Sequence, residues 1–363
     1  VDVDGLYQRE CQRGPADIAV SEDFLTPACA LFTPVISAFE YLVGAQEVKL
    51  KIVLAVNGLI PCMGYGGTER QVDWLARELA RLGHQIVLVA FPGSTHSSCE
   101  VRHAGSAEEC VKAIPKDADL VHFHGWHQAI VEQPSLFTLH GHKPAQGFSG
   151  RNWSFVSASH AELHGLKTFV YNGFPVDEYR LSSAKNDRLL FMAGIGKADK
   201  NLNRAVSLAR IFDFHLDVAG GSRWKLLNRR TTRRQGVFWK SLGPRYRFHG
   251  LVDGERKLRL LGSAKAFLNP IAWEEPFGMA PVEAMLCGTP VLTTARGALP
   301  ETVDADTGRF FETDEDFARA LGEIDDLPAQ RCRESAADRF PIRKTAEGYL
   351  ELYRRVLDRE VLS

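Results

Sequence analysis

The sequence predicts an α/β protein made of two doubly wound, Rossmann-like domains. Three observations predict it. Strands of buried type alternate with amphipathic helices from Lys49 onward. A glycine-rich loop joins the first of these strands to the first helix. A polar stretch without an apolar run, residues 175–186, then separates one set of alternating elements from a second. A chain of 363 residues suits two domains of ordinary size, and a 45% hydrophobic share supplies two cores.

The elements follow in order. Residues 50–56 (LKIVLAV) read as a buried strand. The loop Gly64-Tyr65-Gly66-Gly67 comes next, then a helix whose apolar face is Val72, Leu75, Leu79 and Leu82, ended by Gly83. Residues 85–91 form the second strand, residues 119–124 and 136–140 later ones, and residues 154–157 and 168–173 the last of the first domain. The second domain starts with a strand at 188–193, a helix over 203–211 and a strand at 215–219. Strands near 248–252, 266–270 and 291–294 continue the pattern, and residues 346–357 form a final helix. The expected boundaries are a first domain over 49–175, a linker over 176–186, a second domain over 187–340 and a terminal segment over 341–363.

Residues 1–48 contain no lysine and no regular alternation. Residues 24–43 are apolar over about the length that spans a bilayer, but Pro27, Pro34 and Glu40 interrupt them and no basic leader precedes them. The expectation is an irregular or partly helical extension packed on the first domain, with a membrane anchor as the alternative. Net charge is -1, which gives the whole chain no pull toward nucleic acid. Seven scattered cysteines without a C-x-x-C pair argue for a reducing, cytoplasmic setting and against a zinc site or disulfide framework. His122, His124 and His127 sit at strand-like spacing without a carboxylate set, so they read as strand-end residues and not as metal ligands.

The most informative stretch runs from Trp273 to Val291. Glu275 stands just before a helix, and Glu283 lies within it. Val282, Met285 and Leu286 give that helix an apolar face, and Gly288 ends it. The first amides of a helix have no partner inside it, so a start flanked by Phe277-Gly278-Met279 suits an anion. Two carboxylates beside an anion site suit a ligand carrying both phosphate and hydroxyl groups, such as a nucleotide-sugar.

This run resembles the signature of the retaining glycosyltransferases of family four, whose fold is GT-B, with its two domains facing each other across a cleft. Their E-x-F-G, four residues, E pattern is matched by Glu275, Phe277, Gly278 and Glu283, and the following A-M-x-C-G-T-P-V is also typical. The resemblance covers about residues 49–357 and leaves the first 48 out. It implies transfer of a hexose from a nucleotide diphosphate sugar to a glycan, lipid-linked or small-molecule acceptor. It implies no metal and no cofactor beyond that co-substrate; accordingly, no D-x-D motif stands at a plausible strand end.

The resemblance also distributes roles. Glu283 would hold the ribose hydroxyls. Glu275 and the amides near Phe277, Gly278 and Met279 would hold sugar hydroxyls and phosphate. Gly66 and Gly67 would face the diphosphate across the cleft. His140, in a T-x-H motif, would contact the sugar or its transition state, and Lys200 would stabilise the leaving diphosphate. The chain departs from the pattern twice: Ile195 occupies the usual Arg position and Asn201 the usual Gly. Lys197 is the sequence's substitute for that Arg, though a lysine cannot form its bidentate fork. Two other readings are an isomerase of the nucleotide-sugar 2-epimerase kind and a non-catalytic nucleotide-sugar-binding protein.

One charge block remains. Residues 222–248 hold nine Lys and Arg and no Asp or Glu, interleaved with Trp224, Phe238, Trp239 and Tyr246. A solvated helix and loop face is the plain reading; docking to an anionic membrane, as a peripheral contact, or to a phosphorylated carrier is the sharper one.

Overall fold

A computed structural model of the protein describes residues 49–62, 64, 66–141, 151–228 and 230–362, so the expected N-terminal extension lies outside the described residues. Lys49–Ser363 forms one unit. Its first half contains β1 (Lys51–Ala55), α1 (Gly67–Arg81), β2 (Gln85–Ala90), β3 (Glu100–His103), α2 (Ala107–Ala113), β4 (Leu120–Phe123), β5 (Ser135–Thr138), β6 (Asn152–Ser154) and α3 (Ala158–Leu163). The second half begins with β7 (Arg188–Met192), α4 (Leu202–Ile211), β8 (His215–Ala219), α5 (Lys225–Asn228), α6 (Arg230–Arg234), α7 (Val237–Lys240) and β9 (Tyr246–Gly250). It continues through α8 (Gly254–Ser263), β10 (Ala266–Asn269), α9 (Met279–Leu286), β11 (Val291–Thr293), α10 (Leu299–Thr302), β12 (Gly308–Phe310), α11 (Asp314–Glu323), α12 (Ala329–Arg339) and α13 (Ile342–Leu357).

The strands make two parallel six-stranded sheets, ordered β3-β2-β1-β4-β5-β6 and β12-β11-β10-β7-β8-β9. Both are doubly wound, as expected. Strands covered on both faces must be apolar along their whole length, and all but one residue of β1 is buried while every residue of β7 is. Arg188 is the polar exception in β7. It is tolerated because Asp217 accepts from its Nε at 2.7 Å and two carbonyls accept from its Nη2. The strand order reverses between β1 and β4 and between β7 and β10, which places a crevice at the carboxyl ends of those strands.

The connection between halves departs from one expectation. Residues 168–173 do not form a strand. Phe169 makes a single bridge to Phe155, because the chain must turn away to cross between the sheets. At that crossing Phe174 donates to the Phe340 carbonyl at 2.9 Å, and Ile342 donates back to Phe174 at 2.8 Å. The return segment then becomes α13, which starts after Pro341, earlier than its apolar pattern suggested. Ala346, Tyr349, Tyr353 and Val356 pack it onto the β1–α1 core of the first half.

Candidate functional site

A cavity of about 920 Å³ opens between the two halves, lined by residues of both. Its second-half wall is built around α9. Phe277 anchors the approach to this helix: it is 2% exposed and packs edge-on against Phe340 at 5.5 Å and near Phe174 at 6.3 Å. Ser157 in the first half donates to the Pro276 carbonyl at 2.7 Å. The backbone then reverses at Gly278, whose φ of +92° favours glycine, and whose absent side chain leaves room for Leu299. Gly278 is the N-cap of α9, and no side chain caps it. Gly278, Met279 and Ala280 line the cavity, so the unpaired amide end of the helix borders open space.

The opposing wall is the start of α1. Gly66 and Gly67 line it, and this helix also lacks a side-chain cap. A Cβ on Gly66 would collide with Cys62 Sγ and approach Glu69 Oε2. The tight packing of the loop therefore demands glycine. Gln71, one turn along, donates to the Gly173 carbonyl at 2.8 Å and lies 3.3 Å from Met279 Sδ, so α1 and α9 meet directly.

Two glutamates organise the charges. Lys200 Nζ lies 2.6 Å from Glu275 Oε2 and over the Trp273 ring, 4.5 Å from its centre. The Trp273 indole donates to the same oxygen at 2.8 Å. Glu283 is 1% exposed. Its Oε1 receives Arg70 Nη1 and Lys257 Nζ, each at 2.5 Å, and the Tyr179 hydroxyl at 2.9 Å. Burial alone would raise the Glu283 carboxyl, but Lys257 and Arg70 outweigh it and hold it at about 2. Burial pulls Lys257 down from its ordinary value, against the attraction of Glu283. Two cations thus share one carboxylate, which leaves the cluster net positive beside the amides of α9.

The structure brings together most of the residues singled out in the sequence: Gly66, Gly67, Lys200, Glu275, Gly278, Met279 and Glu283 line one cavity. Three stand apart. Phe277 is an anchor in the aromatic cluster and not part of the cavity lining. Lys197 is exposed and also outside the lining; the short turn Ala198–Lys200 puts Lys200 at the cavity instead. His140 lies outside the lining as well. Its Nε2 is 2.9 Å from Nδ1 of buried His124, and burial, with His127 and His160 nearby, pushes it down to about 3, so it is neutral near pH 7.

Both departures from the signature have local explanations. Asn201 adopts φ +56° and ψ +45°, the left-handed conformation that glycine would supply, and its side chain caps α4. Ile195 is 2% exposed in the second-half core, and a Cβ on Gly221 would stand 2.7 Å from its Cδ1. The sequence reading missed Arg70, Lys257 and Tyr179. The only signal available was Arg70's place in the first turn after the glycine loop. Among the described residues, no group of three or more His, Cys, Asp or Glu could hold a metal ion. No described helix is long and apolar enough to cross a membrane.

Comparison with known families matches residues 187–325 to "Glycosyl transferases group 1". The chain carries a glycosyl transferases group 1 domain. This domain, less than half of the chain, contains Lys200, Lys257, α9 and both glutamates. Among curated proteins, D-inositol 3-phosphate glycosyltransferase of Streptomyces griseus is 38% identical over 85 residues, which are 23% of this chain and 18% of that protein. The protein of the same name from Saccharomonospora viridis is 36% identical over 91 residues, 23% and 21% of the two chains. The matched stretches thus span about a fifth of those relatives.

Solved structures extend the likeness to the whole fold, which is GT-B. A glycosyltransferase involved in avilamycin A biosynthesis is 26% identical, with a TM-score of 0.69 over 85% of this chain and 98% of its own. Sucrose-phosphate synthase from Thermosynechococcus elongatus is 19% identical, with a TM-score of 0.70 over 86% and 100%. Anabaena HepE, solved in complex with UDP and glucose, is 16% identical, with a TM-score of 0.65 over 84% and 99%.

Proposed function

We propose that this protein transfers a hexose from a nucleoside diphosphate sugar to an acceptor hydroxyl, with retention of anomeric configuration and without a metal. One observation carries the reading: the uncapped start of α9, the glycine start of α1, Lys200 and both glutamates border the same cavity. Amide dipoles and basic side chains there would neutralise a diphosphate, the task a cation performs elsewhere. That Anabaena HepE holds UDP and glucose in this fold supports a nucleoside diphosphate sugar as donor.

In this reading the diphosphate sits on the amides of Met279 and Ala280. Glu283 takes the ribose hydroxyls, and Glu275 takes sugar hydroxyls. Lys200 stabilises the leaving diphosphate as the bond from C1 to the phosphate oxygen breaks. That oxygen takes the proton of the acceptor hydroxyl on the same face, and the acceptor oxygen closes on C1. Arg70 supplies, from the first half, the second cation that buried Ile195 cannot. His140 stays the first-half candidate for contact with the transition state; as a neutral imidazole it does not repel an oxocarbenium-like carbon. The acceptor enters from the first half, where Thr95, His96 and Ser97 complete the cavity wall. Free thiols at Cys62, Cys99, Cys110, Cys287 and Cys332 suit a cytoplasmic location.

A panel of UDP-, GDP- and ADP-sugars tests this. One nucleotide class is expected to raise the unfolding temperature by a few degrees, since a ligand at a hundredfold its Kd adds about 2.7 kcal/mol to native-state stability. That donor should release nucleoside diphosphate with acceptor present, equally with and without EDTA. Failure of every donor to stabilise the protein would refute the reading. Epimerised donor appearing without acceptor would favour an isomerase instead; the transferase names of the relatives weigh against that.

A further inference from the structure

The excursion between β8 and β9 lies outside the cavity chemistry. It breaks into three short helices, α5, α6 and α7. Trp224 and Trp239 are 71% and 68% exposed, an unusual state for the largest apolar side chain. Neither is loose, because both lean on buried Phe238, with ring centres 5.4 and 5.1 Å away. Leu242, just past α7, is 47% exposed.

Around these tips the charge has one sign. Lys225, Arg233, Arg234 and Lys240 are exposed, and among the described residues none has a carboxylate within ion-pair distance. Lys240 donates to Asn203 Oδ1 at 3.1 Å. Of the other basic groups of the block whose side chains are described, Arg245 pairs with Asp213 and Arg223 stacks on Phe248, while Arg247 on β9 is exposed. Because the rest of the chain is net -10, this cationic excess is local and must be explained locally.

We propose that this face docks peripherally onto an anionic lipid bilayer, with Trp224, Trp239 and Leu242 entering the headgroup region and Lys225, Arg233, Arg234 and Lys240 meeting the phosphates. Indole rings favour the depth where apolar tails give way to polar headgroups, and lysines and arginines beside an anionic leaflet each add attraction. Leu242 favours a bilayer over a single-stranded nucleic acid, because an aliphatic tip offers no ring on which a base can stack.

Sedimentation of the full chain with vesicles tests the assignment. Phosphatidylcholine vesicles containing about 30% phosphatidylglycerol should capture the protein at least about tenfold better than phosphatidylcholine alone, with capture falling as salt rises. The quadruple variant K225E/R233E/R234E/K240E should lose that preference. W224A/W239A should weaken capture about tenfold. The unfolding temperature should hold in the charge variant, whose four side chains are exposed, and W224F/W239F, which keeps rings on Phe238, should bind between W224A/W239A and the parent. Equal capture on neutral and anionic vesicles, or capture indifferent to charge reversal, overturns the proposal. So does binding of a single-stranded RNA through the same residues with no vesicle binding. Donor binding in the cavity stays intact in each variant, so this test is independent of the transfer activity.

Discussion

Replacing Lys200 with alanine is expected to lower turnover by about 10²–10³-fold while weakening donor binding far less. Lys200 is held between the Glu275 carboxylate at 2.6 Å and the Trp273 ring at 4.5 Å, on the wall it shares with the amides of α9. A group fixed in this way costs little reorganisation when charge develops on a departing diphosphate, and removing one such stabilising group costs about 2.7–4 kcal/mol of barrier. Because that charge grows mainly in the transition state, the loss should fall on kcat. Steady-state kinetics checks the split. Lys200→Ala with unchanged kcat and a large rise in KM would show that the lysine serves ground-state binding alone. Lys197→Ala is the internal control: the residue is exposed outside the cavity lining, and its removal should leave both constants near the parent values.

Glu283→Ala should damage both folding and donor binding. The substitution leaves Arg70 and Lys257 facing one another without the carboxylate they share. Breaking a buried ion pair from one side costs about 3–5 kcal/mol, because a charge is left uncompensated. Nucleotide affinity should fall as well, since the ribose contact proposed for Glu283 would be lost. The companion variant Glu283→Gln/Lys257→Met separates the effects: it removes a charge of each sign and should recover much of the stability but none of the affinity. Recovery of donor binding in that variant would remove Glu283 from the ribose site.

The pH dependence of stability follows from the same cluster. Glu283 is held at about 2, below its ordinary value of 4.5. Its stabilisation is therefore complete above 4.5 and is lost as pH falls from 4.5 through 2. The three donors to Glu283 all fall on Oε1. A ribose can take Oε2 without breaking them, whereas one that needs Oε1 must first displace Arg70.

Much of this was legible in the chain. Local patterns identified β1, α1, β2, α9 and the α4 start, because buried parallel strands are continuous apolar runs and helices carry end signals. β3 escaped because it is an edge strand, partly exposed at every residue, with no apolar run to mark it. Residues 168–173 have the composition of a strand, but Phe174 is committed to Phe340 and Ile342 at the crossover, so no ladder forms. In the site, neighbourhood in sequence misled at Lys197, where one short turn separates the exposed lysine from the cavity-lining one. Arg70 and Lys257 could not be inferred, because their convergence on Glu283 across 213 and 26 positions is a product of packing. The basic block was visible as charge, but only the fold shows that Trp224 and Trp239 face solvent.

The central claim is that the amide end of α9 holds a diphosphate between the two halves of the molecule. A crystal structure of the protein soaked with a nucleoside diphosphate tests it most directly. The expected density places the terminal phosphate within hydrogen-bond reach of the Met279 and Ala280 amides and Lys200, with the ribose on Glu283. A nucleotide bound elsewhere, with the start of α9 still bordered only by solvent, would contradict the account.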